Sequence, residues 1–113
     1  MTATALDSAA QAIASAPRRR LLERLESGPA TITELAALLD VSVPATLKHV
    51  DRLVAGGLAT RRKSGRVVTV TLVPGSLDPL LEWARRTRLL WSNHLDRFAA
   101  HLGGGTEHEG ERR

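Results

Sequence analysis

The 113-residue sequence predicts a mainly α fold carrying one small β-hairpin. Leucine-rich stretches at helical spacing fill its first half. Two β-branched runs meet at a Ser-Gly pair, and a long stretch of helical spacing follows Pro74-Gly75.

Leu6 to Ala16 is rich in alanine with weak apolar spacing, and is expected as a first helix. Pro17 either ends it or opens the next, since proline is tolerated in a first helical turn. PRRRLLERLESG then sets Leu21, Leu22 and Leu25 on one face, with Gly28 as a stop. In TITELAALLD, Thr31 and Glu34 stand at capping-box spacing, each side chain able to satisfy the other's backbone N–H. Leu35, Leu38 and Leu39 are the expected buried face of that short helix.

Asp40-Val41-Ser42 leaves room only for a tight turn, and Asp tolerates the left-handed backbone such turns require. Ser42 is a good N-cap, which makes Pro44 the second residue of the next helix, where its missing N–H costs no bond. That helix runs from Val43 to Gly56-Gly57. The runs LATRRK and RVVTVTL follow as strands joined through Ser64-Gly65. Ser76 is placed to cap a last helix from Leu77 to about Leu102, with Leu80, Ala84, Trp91, Leu95, Phe98 and Leu102 near heptad spacing. Residues 1–102 are expected to form one domain, and 103–113 a disordered tail.

Composition narrows the function. With 42% apolar residues a modest core is possible, and self-association would help a domain of this size. Trp83, Trp91 and Phe98 cluster late, as a dedicated apolar seam would. With no cysteine there is no disulfide framework, thiolate zinc site or cysteine nucleophile. No apolar run reaches the ~18 residues needed to cross a bilayer. MTATALDSAAQAIASAP also lacks the early charge and apolar block of a secretory signal, so a soluble cytoplasmic protein is expected. Nothing arranges Ser, His and Asp as a nucleophile elbow, phosphate loop or paired carboxylates, so no enzyme is expected.

Net charge is +4, and of the 16 basic residues only Lys48 and Lys63 are lysine. An arginine preference from a GC-rich genome explains that ratio equally well. Position says more: Arg61, Arg62, Lys63 and Arg66 form a block with no acid inside it, an electrostatic footprint for nucleic acid.

Two short helices joined by a three-residue turn, the second with a capped front, form a helix-turn-helix whose second helix enters the major groove. A basic-tipped hairpin directly afterwards is a wing. The expected partner is double-stranded DNA.

LDVSVPATLKHVDRLVAGGLATRRKSGRVVTVTL resembles the winged helix-turn-helix of ArsR-type bacterial repressors. The resemblance extends upstream through APRRRLLERLESGPATITELAALL and downstream through LLEWARRTRLLWSNHLDRF. It implies a homodimer held by the first and last helices on an inverted-repeat operator. It also implies repression by promoter occlusion, although activators use the same scaffold.

Spacing alone favours Val43, Leu47, Val50 and Val54 as the buried stripe of the second helix. The family pattern instead buries Thr46, Val50 and Leu53 and turns Val43, Pro44, Leu47 and Lys48 towards DNA. The family pattern is followed here. Leu47 departs from it, standing where a small polar residue is usual. A leucine can meet a thymine methyl but donates nothing to a base edge.

Ser42 positions the helix front, with Val43, Pro44, Leu47 and Lys48 as candidate groove contacts. Arg52 is a further contact, equally readable as a solvated side chain, and His49 flanks the buried face, where it is expected to pack or touch phosphate more than to read a base. Arg61, Arg62, Lys63 and Arg66 are expected on phosphates, against the plainer reading that they blunt an edge strand. Arg18, Arg19 and Arg20 are ambiguous, with at least one expected in structural contacts.

The family also implies metal sensing. Its thiolate site is impossible here, but its C-terminal site uses Asp, His and Glu. His94 and His101 share a face, near Asp96 and the tail residues His108 and Glu109, and such ligands suit nickel or zinc. The family places Asp two residues before His, and this chain has the reverse. No cofactor is therefore expected, with a divalent metal as the alternative. A third reading is a module that binds a co-regulator protein through Trp83 or Trp91, against which stands their use as dimer core.

Overall fold

Ser15 divides what alanine content alone would run together. In the computed structural model, which describes the backbone of residues 4–101 and the side chains of 4–88, 97, 99 and 100, helix α1 spans Ala5–Ala12 and α2 spans Ala16–Leu25. The expected first helix thus stops short of Ala16. Ser15 is extended and its hydroxyl accepts from the Arg18 N–H, so Pro17 lies in the first turn of α2 and opens it. Thr4 and Asp7 form a capping box on α1.

Two-residue strand β1, Ala30–Thr31, leads directly into α3, Ile32–Leu39. Thr31 ends the strand and also caps the helix. Its hydroxyl accepts from the Glu34 N–H at 3.1 Å, and its own N–H donates to the Glu34 carboxylate at 2.8 Å. That donated bond is the main cause holding the Glu34 carboxyl below the usual carboxylate range. The buried face of α3 is Ile32, Leu35, Ala36 and Leu39. Leu38, expected there, is only half-buried at its edge, and Ala36 lies deeper.

After the turn come α4, Val43–Ala55, then β2, Ala59–Ser64, and β3, Val67–Leu72. The three strands form one antiparallel sheet in the order β1-β3-β2. Ser64 pairs with Val67, so the hairpin turn is Gly65-Arg66, one residue later than expected. Gly65 has φ +62° and Arg66 a negative φ, the signs of a type II′ turn. Strand β1 has no signature in the sequence, since two residues carry no period.

The last helix, α5, spans Asp78–His101. It starts one residue later than expected because the Ser76 position lies in the turn made by Pro74–Leu77. Pro79, lacking an N–H, then sits in the first helical turn.

The chain divides after Leu80 into two compact units. The first has its core in Leu21, Leu35, Val50, Leu53, Leu58 and Val70, all fully buried, with Leu77 and Leu80 packed on it. In the second, Leu81 and Trp83 are exposed, and Glu82 pairs with Arg85 and Arg86. No helix among the described residues is long and apolar enough to cross a membrane.

Candidate nucleic-acid interface

Both ends of α4 are fixed by backbone chemistry. At its front, Asp40 adopts φ 57° and ψ 45°. Its N–H donates to Ala37 O, and the Val41 N–H to Ala36 O, the paired bonds of a Schellman ending with Asp in the left-handed place usually held by glycine. The chain reverses there, and Ser42 accepts from the Ala45 N–H at 3.2 Å. At the far end Gly57, φ +79°, donates to Val54 O while Leu58 donates to Leu53 O. This second Schellman ending brings Leu53 and Leu58 together in the core. A Cβ on Gly56 would lie 2.8 Å from the Ala12 Cβ and 3.1 Å from Ser8 O, so α1 touches the backbone of α4 there.

The buried face of α4 is Thr46, Val50 and Leu53, as the family pattern implied and spacing did not. Val43 and Val54, favoured by spacing, are 38% and 36% exposed. Threonine can replace an apolar residue at the core because its hydroxyl donates to Ser42 O at 2.9 Å and needs no other partner. With that hydroxyl satisfied inside the helix, Thr46 can occupy a core position that a hydropathy pattern does not select.

Ser42, Val43, Pro44, Lys48 and Arg52 are exposed. Leu47 is half-buried and rests against the core cluster. His49 is half-buried on the other flank, where it lines a cavity of about 180 Å³ with Pro17, Arg20 and Val41.

The wing carries Arg61, Arg62, Lys63 and Arg66, all exposed. Strand pairing separates them. Arg61 lies opposite buried Val70 and Lys63 opposite Val68, on the side shared with Ala59, whereas Arg62 lies opposite Thr69 on the other side. Arg66 occupies the turn. From its side Arg61 reaches Asp51 of α4, with N–O separation 3.0 Å. Sequence reasoning misses Asp51, because only the register of β2 against α4 reveals the pair.

Arg18, Arg19 and Arg20 belong elsewhere. Arg18 donates to Ala12 O and Gln11 O at 2.6 and 3.1 Å, and Arg19 to Ile13 O at 2.8 Å. At Ala12 O and Ile13 O these bonds satisfy carbonyls at the end of α1, whereas Gln11 O also accepts from the Ala14 N–H. Arg20 reaches Leu38 O at 2.9 Å, doing the same for α3. Arg24 bonds Gly28 O at 3.1 Å past the end of its own helix.

The side chains of His94, Asp96 and His101 lie outside those described, as do residues His108 and Glu109. Among the described residues no group of three His, Cys, Asp or Glu is arranged to hold a metal ion.

Known proteins share this arrangement. The family described as a helix-turn-helix domain matches residues 13–62. The HTH-type transcriptional regulator Rv2034 of Mycobacterium tuberculosis is 38% identical over 95 residues, covering 82% of this chain and 84% of that protein. A crystal structure of an ArsR family transcriptional regulator superposes with a TM-score of 0.71 at 34% identity, over 79% of this chain and 98% of the other. The homodimeric winged helix-turn-helix DNA-binding domain Mb0332 from Mycobacterium bovis shares the fold, with a TM-score of 0.61 at 17% identity over 82% and 83% of the two chains.

Proposed function

The chain belongs to the ArsR family of helix-turn-helix transcriptional regulators, DNA-binding proteins and not enzymes, and from that premise we propose that it acts in the cytoplasm as a homodimeric repressor on an inverted-repeat operator. The observation that carries this reading is an exposed helix front together with an exposed basic hairpin. The helix is the doubly capped α4 with Pro44 and Lys48 exposed, and the hairpin carries four exposed basic side chains. Helix fronts capped in this way reach base edges in the major groove, while basic side chains on a wing neutralise phosphates.

In this proposal Ser42 sets the helix front and Val43, Pro44, Leu47 and Lys48 approach the groove. His49 and Arg52 approach from its flanks, and Arg61, Arg62, Lys63 and Arg66 hold the backbone. Exposed Leu81 and Trp83 on α5 suit a helix that meets a second copy, the assembly borne by the M. bovis domain. Two copies related by a two-fold axis would occupy half-sites about one helical turn apart and exclude polymerase from a promoter they overlap.

A footprint on the DNA upstream of the chain's own gene tests this. The expected result is two protected half-sites about 10 base pairs apart, or a multiple of that spacing. Protection of a single half-site by a monomer would refute the dimeric reading. Repeating the footprint with Ni²⁺ and Zn²⁺ tests the cofactor-free form, which expects unchanged protection.

A further inference from the structure

We propose that α4 reads pyrimidine C5-methyl groups, those of thymine, through an apolar front formed by Val43 and Pro44. The inference rests on α4 being the DNA-reading helix and names what that helix recognises.

Part of the hydrogen-bonding capacity at this front is engaged within the chain, which leaves the Ser42 O–H and Lys48 as its donors. Thr46 is fully buried, with its hydroxyl on Ser42 O at 2.9 Å, and the Ser42 hydroxyl oxygen already accepts from the Ala45 N–H. Between Asp40 and Asp51 the chain has no Arg, Asn or Gln, the side chains that grip guanine or adenine in bidentate fashion. Lys48 is the sole lysine in that interval.

Apolar surface is instead held out to solvent. Val41 is 42% and Val43 38% exposed, and Pro44 is exposed beside them. Leu47, one turn after Val43 on the same side, is half-buried against the core, which leaves Val43 as the more accessible apolar group of that side. The β-branched residue and the proline at the first two helical positions stand outside the buried core cluster. In the major groove the C5-methyl of thymine is the one apolar feature of a base edge, and contact with it needs no donor. Cytosine methylated at C5 carries the same group, so the shared chemistry is the methyl and the base must be separated by experiment.

Duplexes enriched by the full-length chain from a random-sequence pool are resynthesised with deoxyuridine replacing each half-site thymine in turn. This substitution removes the methyl and leaves base pairing intact. At one or two positions, wild-type binding should weaken about fourfold per methyl removed. Val43→Ala, at an exposed position, should show less than half that sensitivity at the same positions, and Val43→Thr, which keeps one of the two methyls, an intermediate sensitivity, both with the wild-type helical spectrum. Cytosine at those positions should bind more weakly than thymine, and methylation of that cytosine at C5 should recover about the same factor.

Deoxyuridine duplexes bound as tightly as thymine duplexes would overturn the inference, as would equal losses in wild type and both variants. Methylcytosine bound more tightly than thymine would overturn the assignment to thymine. Failure to enrich any duplex would overturn the DNA-reading role of α4 itself, an outcome distinct from enrichment without methyl sensitivity.

Discussion

Ser42 serves two partners at once, accepting the Ala45 N–H through its hydroxyl and the Thr46 hydroxyl through its carbonyl. Ser42→Ala removes only the first bond and should cost about 1 kcal/mol of stability, read from a urea titration. Ser42→Asp keeps a capping oxygen, so stability should remain near wild type. Its negative charge beside phosphates should nonetheless weaken DNA binding, and the pair of variants separates folding from recognition. The arginines of α2 invite the opposite test. Since Arg18, Arg19 and Arg20 satisfy helix-end carbonyls, Arg19→Ala with Arg20→Ala should lower stability by about 1–2 kcal/mol. The salt dependence of DNA binding should be unchanged, and a shallower slope would place these residues on phosphate after all. Their destinations were not legible in the run APRRR, because a guanidinium on a long stem bonds whichever carbonyl the fold brings near, and Leu38 is eighteen positions away from Arg20.

At the scale of elements, the wing and the reading helix answer to different measurements. Replacing Arg62, Lys63 and Arg66 together with Ala should weaken binding to every DNA sequence and reduce the salt slope by about 0.9 for each phosphate left unneutralised. A slope equal to wild type would remove the hairpin from the interface. Gly56 sets how α4 sits on α1. Gly56→Ala drives a methyl to 2.8 Å from Ala12 and should destabilise by about 1–3 kcal/mol, measured by thermal or urea unfolding. Its φ of −81° is open to any residue, so the cause is close approach and not backbone strain. Caps were the most legible part of this architecture, because Thr31–Glu34 and Ser42–Ala45 act across three residues and leave their mark in the sequence. The hairpin was legible to within one residue. What escaped was non-local: the two residues of β1 and the Asp51–Arg61 pair. The burial of Thr46 in place of Val43 or Val54 was legible from the family pattern and not from spacing. Spacing measures hydrophobicity, and it cannot see that a hydroxyl is satisfied by a carbonyl one turn back.

For the whole molecule, the formal charge of +4 is a poor guide to the field that DNA would meet. Arg18, Arg19, Arg20 and Arg24 are engaged with backbone carbonyls, and Arg61 with Asp51, whereas Arg62, Lys63 and Arg66 stand exposed on a projecting hairpin. A concentrated field of this kind favours rapid encounter and a steep response to ionic strength. Dimerisation gives a prediction at the same scale. If two chains fold together, a tenfold rise in protein concentration should stabilise the dimer by about 1.4 kcal/mol and raise the midpoint of thermal unfolding. A midpoint independent of concentration would leave the monomer as the folding unit. Leu81 and Trp83 are the exposed side chains whose truncation should weaken that dependence.

Thr31 joins two mechanical parts. It pairs with Thr69 in the strand that returns from the wing, and it caps the first helix of the helix-turn-helix. A tug on the hairpin is therefore a tug on the axle of α3, with no slack residue between them. Proton exchange at the Thr31 and Glu34 amides should then slow together when DNA loads the hairpin.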